Sequence, residues 1–386
     1  MTIYLDHAAT APINEAAIDA LNIAMRKLGN ASSIHNQGRS VRKDVEDARH
    51  ELSELIGANP SEIIFTGSGT EANNLAIKGF FWQHPDRNLI VTSAFEHHAI
   101  LDPVEWLVEH EGAEQVLIPI TKAGVIDLDF LRNIVQTRGS EIAVISIMHS
   151  NNELGSIQPI ADIVKIAGDI PVHTDAVQSF GKVDFNFAAL NVTAATISAH
   201  KIGGPLGVAA LILKRGLDLT PVLHGGGQER EIRSGTLNAP SIVAFTAAAE
   251  YAIANMATNF QQIRELRDYF VIGLKQCVPD VSINSITDPA LPGIVNATFP
   301  GTESDALLLL LDTEGISASA GSACSAGVPR PSHVLVALGL SESDADASLR
   351  ISIGTTNTKA EIDQVLKILP SVVERARNAF VVSELN

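Results

Sequence analysis

The chain has 386 residues, a mass of 40.9 kDa and a formal net charge of −17, from 27 Lys and Arg against 44 Asp and Glu. Its composition, 46% hydrophobic and 18% charged, excludes disorder for most of its length and provides a large core. The acidic balance disfavours direct nucleic-acid binding, which depends on cations that neutralise phosphates. No apolar run approaches the roughly 20 residues that span a bilayer, so we expect no membrane segment.

The N-terminus and the cysteine content both favour a cytoplasmic protein. The first residues, MTIYLDH, are unlike a secretory signal peptide, since no basic residue precedes Arg26. The chain has two cysteines, Cys277 and Cys324, which are too few for a disulfide scaffold or a four-thiolate zinc site. We therefore expect no resident metal, and a role in chemistry for any cysteine that matters.

The hydrophobic pattern, taken in chain order, predicts helices that alternate with buried strands. An amphipathic helix over 41–56 ends at Gly57. Short, nearly continuous apolar runs then follow at 63–65, 89–91, 143–148, 170–173, 194–197 and 208–213. Such runs are typical of strands in a mostly parallel sheet that helices cover on both faces. The first two-thirds of the chain is therefore predicted to be an α/β domain.

From about residue 246 the pattern changes. Helices are predicted over 259–277, 303–314 and 359–377, with a strand at 294–299. We predict a large domain over 15–245 and a smaller α+β domain formed by 1–14 and 246–386. The smaller domain contains a stretch of small residues at 317–327, which predicts a mobile loop around Cys324, at about 317–330.

An Asp and a Lys follow two of the predicted strands. Asp175 comes two residues after the run at 170–173, and Lys201 comes just after the run at 194–197. Because neighbouring parallel strands end at one edge of a sheet, the two residues can meet there. A lysine Schiff base with an Asp at the pyridine nitrogen is how pyridoxal 5′-phosphate (PLP) is held. The alternative is an Asp that closes a strand beside a surface Lys; Lys182 is the nearest rival amine.

A candidate phosphate cradle follows the predicted strand at 63–65. Gly67, Gly69 and Thr70 open a helical pattern, where backbone N–H groups and the helix N-terminus attract anions. The motif lacks the Gly-Lys-Ser/Thr of nucleotide-binding loops, so it does not predict an NTPase. A plain tight turn is the alternative.

Other candidate residues each have a structural alternative. His97 is either an acid/base on a cofactor ring or a hydrogen-bonded structural residue. Arg350 interrupts a strand-like run and either clamps a substrate carboxylate or forms a structural ion pair. Cys324 is either a nucleophile or an incidental exposed thiol, whereas Cys277 lies on an apolar helical stripe and is predicted to be in the core.

Taken together, these residues resemble the cysteine desulfurases of the class V aminotransferase family, which are fold-type-I PLP enzymes. The resemblance covers essentially the whole chain. It is carried by eight motifs in order: Gly69-Thr70-Glu71, Glu96-His97-His98, Asn151 to Gly155, Asp175 to Gln178, Ser198 to Lys201, His224 to Glu229, Arg233 to Thr236, and Gly321 to Cys324.

The resemblance implies a PLP site. In it, Lys201 forms the Schiff base and moves protons at the substrate Cα, and Asp175 pairs with the pyridine nitrogen. Gln178 contacts the ring hydroxyl, and His97 stacks on the ring. Thr236 reaches the phosphate of the other subunit's cofactor, which implies a homodimer. The residues implied to bind PLP are Gly69, Thr70, Glu71, His97, Asn152, Asp175, Gln178, Ser198, His200, Lys201 and Thr236.

The resemblance also implies the reaction. Asn152 and Arg350 hold the carboxylate of L-cysteine, and Cys324 takes its sulfur as a persulfide while L-alanine is released. Cys324 is also implied to ligate an iron–sulfur cluster transiently. Sulfur acceptors of this family are iron–sulfur scaffold or tRNA-thiolation proteins. Two alternatives stay open: selenocysteine lyase or another class V PLP reaction, and a non-catalytic sulfur-transfer scaffold.

Overall fold

The computed structural model describes residues 2–286, 288–321 and 331–384. Its helices are α1 (Glu15–Met25), α2 (Asn36–Ile56), α3 (Gly69–Gln83), α4 (His98–Glu111), α5 (Leu128–Arg138), α6 (Ile160–Ala167), α7 (Phe187–Leu190), α8 (Ala239–Ala254), α9 (Met256–Cys277), α10 (Ser304–Thr313), α11 (His333–Leu338), α12 (Glu342–Asp346) and α13 (Lys359–Glu384). Its strands are β1 (Ile3–Tyr4), β2 (Ile63–Thr66), β3 (Leu89–Ser93), β4 (Glu114–Ile118), β5 (Ile142–Ser146), β6 (Val172–Asp175), β7 (Ala194–Ser198), β8 (Ala209–Leu213), β9 (Ser282–Ile283), β10 (Ile294–Thr298), β11 (Ile316–Ser317) and β12 (Ser348–Ser352).

A seven-stranded sheet in the described part of the chain has the order β2-β8-β7-β6-β5-β3-β4. The neighbours from β7 to β4 pair in parallel, and β8 runs antiparallel to both β7 and β2. The predicted α/β class with a mainly parallel sheet is therefore confirmed. Every apolar run predicted to be a strand forms one.

The sheet is buried on both faces. Side chains alternate along a strand, so Ile63 and Phe65 pack in one hydrophobic cluster while Ile64 packs in another on the opposite side. Helices α1, α2 and α8 cover the first side, and α3 and α4 pack together on the second. This double burial explains why the strands are nearly continuous apolar runs.

A separate, smaller core lies around an antiparallel sheet of order β12-β10-β9. Helices α9, α10 and α13 pack on it, and β1 joins β11 in parallel beside it. The predicted boundary at residue 246 falls inside α8. The apolar face of α8 stays in the larger core through Ala252, because the helix packs on α1 and α2. The exact division into two domains stays a prediction.

The carboxyl ends of β3, β5, β6 and β7 lie at one edge of the sheet, which is where parallel α/β folds place their ligands. The polar loops of the sequence motifs leave the sheet at this edge. No helix among the described residues is both long and apolar enough to cross a bilayer.

Candidate active site

Lys201 and Asp175 come from neighbouring strands. Asp175 is the last residue of β6 and is paired with Thr196 of β7. Lys201 is the last residue of the short 3-10 helix (Ala199–Lys201) that follows β7. Its Nζ donates hydrogen bonds to the backbone carbonyls of Ala8 and Ala9, at 2.6 and 2.8 Å. The N-terminal segment therefore holds the amine at the sheet edge, as a Schiff-base lysine requires.

The Asp175 carboxylate is held by two donors. Its Oδ2 accepts from Asn73 Nδ2 at 2.6 Å, and its Oδ1 accepts from the Val177 backbone N–H at 2.9 Å. Asn73 lies on α3, three residues after Thr70, so the two share a helix face. The orientation of the carboxylate is thus fixed by its own loop and by the helix of the glycine motif.

One end of the site is rich in groups that bind anions. Helix α3 begins here, with Ser68 as its N-cap and Gly69 and Thr70 in its first turn. Ser198 and His200 approach from the end of β7, and His200 Nδ1 lies 3.3 Å from Thr10 Oγ1. Burial, with Lys201 and Lys182 adding to it, lowers the pKa of His200 to about 4. A neutral imidazole, a hydroxyl pair and a helix N-terminus form a donor set for a phosphate.

His97 is the N-cap of α4. Its Nδ1 accepts the Ala99 backbone N–H at 3.0 Å, so the ring is fixed in place and its other nitrogen can carry the proton. Burial lowers the pKa of His97, so the ring is neutral at physiological pH. The preceding Glu96 is buried, and this burial raises its pKa to about 8. Its carboxyl group accepts the backbone N–H of Met148. Glu96 is therefore a structural residue.

Arg350 makes the structural ion pair that was one of its two expected roles, and its role as a carboxylate clamp stays a prediction. Its Nη2 donates to Asp6 Oδ1 at 2.8 Å, and its Nη1 donates to the backbone carbonyl of Asn152 at 3.3 Å. Its Nε is buried and has no hydrogen-bond partner in the described part of the chain. Arg350 therefore forms a structural ion pair with Asp6, and its side chain also lines the cavity.

Gln178 links the site to the rival amine. Its Nε2 donates to the Ala8 carbonyl at 2.7 Å, and its Oε1 accepts from Lys182 Nζ at 3.2 Å. Lys182 lines a neighbouring cavity, and burial lowers its pKa to about 7, with Lys201 and Arg350 adding to the shift. Lys182 thus helps to hold the Gln178 side chain in place through this hydrogen bond.

These side chains line one cavity of about 300 Å³. Of the predicted site residues, it is lined by Gly69, Thr70, His97, Asn152, Asp175, Gln178, Ser198, His200, Lys201 and Arg350. Residues that sequence reasoning did not assign also line it, among them Ala8, Ala9, Ser68, Asn73, Met148, Ser150 and Val177.

Three predicted residues are not among those that line the cavity. Glu71 turns away, accepting from the Gly67 N–H at 2.7 Å and from Arg233 Nε at 2.6 Å, so it stabilises the cradle from outside. Thr236 is exposed, and Cys324 lies outside the described residues. Cys277 is partly buried against the smaller core, and its Sγ lies 3.6 Å from the Leu274 carbonyl. Within the described ranges, no group of His, Cys, Asp and Glu is arranged to hold a metal ion.

Comparison with known proteins identifies the family of the chain that contains this cavity. Residues 3–365 match the class V aminotransferase family. The chain belongs to that family. It is 46% identical over 383 residues to an IscS-like cysteine desulfurase of Mycobacterium tuberculosis, covering 97% of each chain. The solved structure of a NifS-like protein superposes with a TM-score of 0.90 at 32% identity, over 97% of this chain and all of that one. The solved structure of SspA in complex with cysteine gives 0.78 at 32% identity, over 92% of this chain and all of that one.

Class V aminotransferases and cysteine desulfurases depend on PLP, which confirms the cofactor prediction. The cavity fits the cofactor. It brings an amine, a fixed carboxylate and a phosphate-type donor set to one space, and the buried Ser150 Oγ on its wall has no partner within the described residues. Lys201, Asp175 and Gln178 would hold the ring, with the α3 N-terminus, Ser198 and His200 at the phosphate.

Proposed function

We propose that the chain is a cysteine desulfurase, which removes the sulfur of L-cysteine, releases L-alanine and carries the sulfur as a persulfide on Cys324. The observation that supports this most is the single cavity that Lys201, Asp175, His97 and Arg350 line together. The desulfurase relatives and the SspA structure with cysteine point to the same substrate.

The residues of the cavity have distinct tasks in this proposal. The Arg350 guanidinium and Asn152 bind the carboxylate of L-cysteine and orient its Cα–H toward Lys201. Lys201 would take the Cα proton, and Asp175 would hold the proton of the pyridine nitrogen. PLP supplies the electron sink for the charge that is left on Cα. His97, neutral and fixed by its N-cap bond, can hold or deliver a proton beside the ring.

The sulfur step balances without an external oxidant. The Cys324 thiolate attacks the substrate sulfur, so an S–S bond forms as the Cβ–S bond breaks. The electron pair of the broken bond stays on the substrate carbon, which takes up a proton and becomes the methyl group of alanine. Cys324 retains the sulfur at the persulfide level, ready for a thiol or scaffold acceptor.

Further parts of the proposal concern the assembly. We infer a homodimer in which Thr236 reaches the partner's cofactor, and its exposure is consistent with that role. Iron–sulfur scaffold or tRNA-thiolation proteins are the inferred acceptors, and the cytoplasm the inferred location. We also retain the division into a large domain over 15–245 and a smaller one formed by 1–14 and 246–386.

Replacing each cysteine in turn tests the sulfur step. Cys324→Ser should keep the visible absorbance of bound PLP but form no persulfide when L-cysteine is added, as measured by mass spectrometry of the intact chain. Cys277→Ser is the matched control and should form the persulfide at the wild-type rate, because that thiol packs against the smaller core. A persulfide that depends on Cys277 would overturn the assignment.

A further inference from the structure

A buried carboxylate beside the cavity has no task in the mechanism above. Glu153 follows the cavity-lining Asn152 and is completely buried. Its backbone N–H donates to Asn151 Oδ1 at 2.8 Å, which holds the turn after β5 in a fixed shape. A buried charge is costly unless it makes specific contacts, so its contacts show what it does.

The Glu153 carboxylate contacts two distant parts of the sequence. Its Oε2 accepts a hydrogen bond from Ser332 Oγ at 2.6 Å. The same hydroxyl caps α11, since it also accepts the Leu335 N–H at 3.3 Å. On the other side, Gly321 lies against the carboxylate so closely that a methyl group there would sit 2.5 Å from Oε2. Gly321 has φ +102°, a conformation that glycine adopts most readily.

These two contacts fall at the two borders of the segment that carries Cys324. Gly321 precedes residue 322 and lines the cavity, and Ser332 follows residue 330 closely. The chain reaches Gly321 from Ser319, which pairs with Arg350 through backbone hydrogen bonds of 2.6 and 3.1 Å. One carboxylate therefore contacts described residues on both sides of residues 322–330 in the sequence.

We propose that Glu153 is a positioning residue for sulfur transfer. It holds Gly321 and Ser332, which flank the stretch that contains Cys324, and Gly321 lines the substrate cavity. The inference rests on the proposed desulfurase function. Holding the two residues that flank a stretch of chain limits how far any group between them can lie from a nearby target, which raises its effective concentration there. The contacts of Glu153 with Ser332 and Gly321 lie on either side of residues 322–330, so we expect its effect to fall mainly on the transfer step.

The test separates substrate binding from sulfur transfer in one enzyme preparation. Wild type, Ser332→Ala, Glu153→Gln and Gly321→Ala are mixed with L-cysteine in a single turnover. The change in visible absorbance reports substrate binding to the PLP-loaded enzyme, and mass spectrometry reports the persulfide on Cys324. Ser341→Ala is the matched control, because Ser341 caps α12 through the Asp344 N–H and is exposed, without a contact to Glu153.

We expect Ser332→Ala to form the persulfide about tenfold more slowly, the scale of a lost hydrogen bond to a charged group. Its absorbance change should match wild type. Glu153→Gln should fall between the two, since it keeps one acceptor oxygen, and Ser341→Ala should behave as wild type. Equal persulfide rates in Ser332→Ala and wild type, or a parallel loss of the absorbance change, would overturn the inference. No persulfide in wild type would instead refute the proposed function itself.

Discussion

Two half-buried lysines lie near each other at the site, and their contacts differ. Lys201 donates to the carbonyls of Ala8 and Ala9 and lines the cavity of about 300 Å³. Lys182 instead donates to Gln178 Oε1. Lys201→Ala should therefore abolish the visible absorbance of lysine-bound PLP, and Lys182→Met should keep it. The spectra of the purified variants decide this, and an unchanged band in Lys201→Ala would remove Lys201 from its role.

At the residue scale, the sequence was informative where chemistry demands a rare type of side chain at a strand end. Lys201, Asp175 and His97 were expected at one site because each follows a predicted strand, and all three line the cavity, whereas their chemical roles stay predictions. Asn73 and Ser150 could not be predicted, because they are ordinary polar residues whose role appears only when the strands bring them to the cavity. Thr70 offered the one available signal for Asn73, since three residues along a helix return to the same face.

At the scale of elements, a buried ion pair connects three segments that are distant in sequence. Arg49 of α2 makes a two-pronged contact with Glu229, at 2.7 and 2.8 Å, and also donates to the Ile63 carbonyl at the start of β2. The Phe65 N–H donates to the same Glu229 carboxylate at 2.9 Å. The pair thus attaches α2, β2 and the loop before α8 to one another.

Breaking that pair should cost much of the stability of the fold. Glu229→Gln removes the buried carboxylate that pairs with Arg49 and leaves this cation only the more exposed Glu46, so we expect a loss of about 3–5 kcal/mol in the free energy of unfolding. Urea denaturation of the chain measures it. The exposed Lys43–Asp47 pair on the same helix is the matched control, and Lys43→Ala should leave the transition unchanged. Equal effects of the two variants would contradict this account.

His173 of β6 makes the sheet sensitive to acid. Its Nδ1 lies 2.9 Å from Ser146 Oγ on β5 and its Nε2 lies 3.0 Å from Thr196 Oγ1 on β7, and burial lowers its pKa to about 3. The unfolded chain binds this proton near pH 6.5, so the native state loses stability as the pH falls from 6.5 toward 3. The contribution is fully present above 6.5.

A comparison with His173→Asn isolates this effect. As the pH is lowered below 6.5, wild type should lose stability relative to the variant by about 1.4 kcal/mol per pH unit. Above pH 6.5 the difference between the two should stay constant. Urea denaturation between pH 5 and 7.5 provides the measurement, and a difference independent of pH across that range would show that His173 does not titrate as burial predicts.

At the scale of the whole molecule, the sequence predicted the layered α/β architecture because double burial makes strands recognisable as continuous apolar runs. The sequence does not show which core α8 joins, since this helix contains apolar residues on most of its surface. Packing on α1 and α2 decides that question. Likewise, Val334 and Leu335 join the larger core, although they lie far along the chain.

The inferred homodimer gives a whole-molecule prediction. Ile23 and Met25 lie in α1, and Leu28 and Ile34 lie between α1 and α2; their exposed fractions run from 66% to 88%. Large apolar residues exposed together are typical of an interface. Light scattering should give twice the 40.9 kDa chain mass, and Leu28→Glu should lower it toward one chain. Ile272→Glu on α9 is the control and should stay dimeric; a monomeric wild type would contradict the dimer.

The central claim is that this chain uses PLP to remove sulfur from L-cysteine. The most direct test records the visible spectrum of the purified protein before and after L-cysteine, and assays alanine in the same tube. The account predicts a lysine-bound PLP band that changes on addition of cysteine while alanine accumulates. A band with no alanine would assign the cavity to a different amino-acid substrate, and no band after added PLP would contradict the account as a whole.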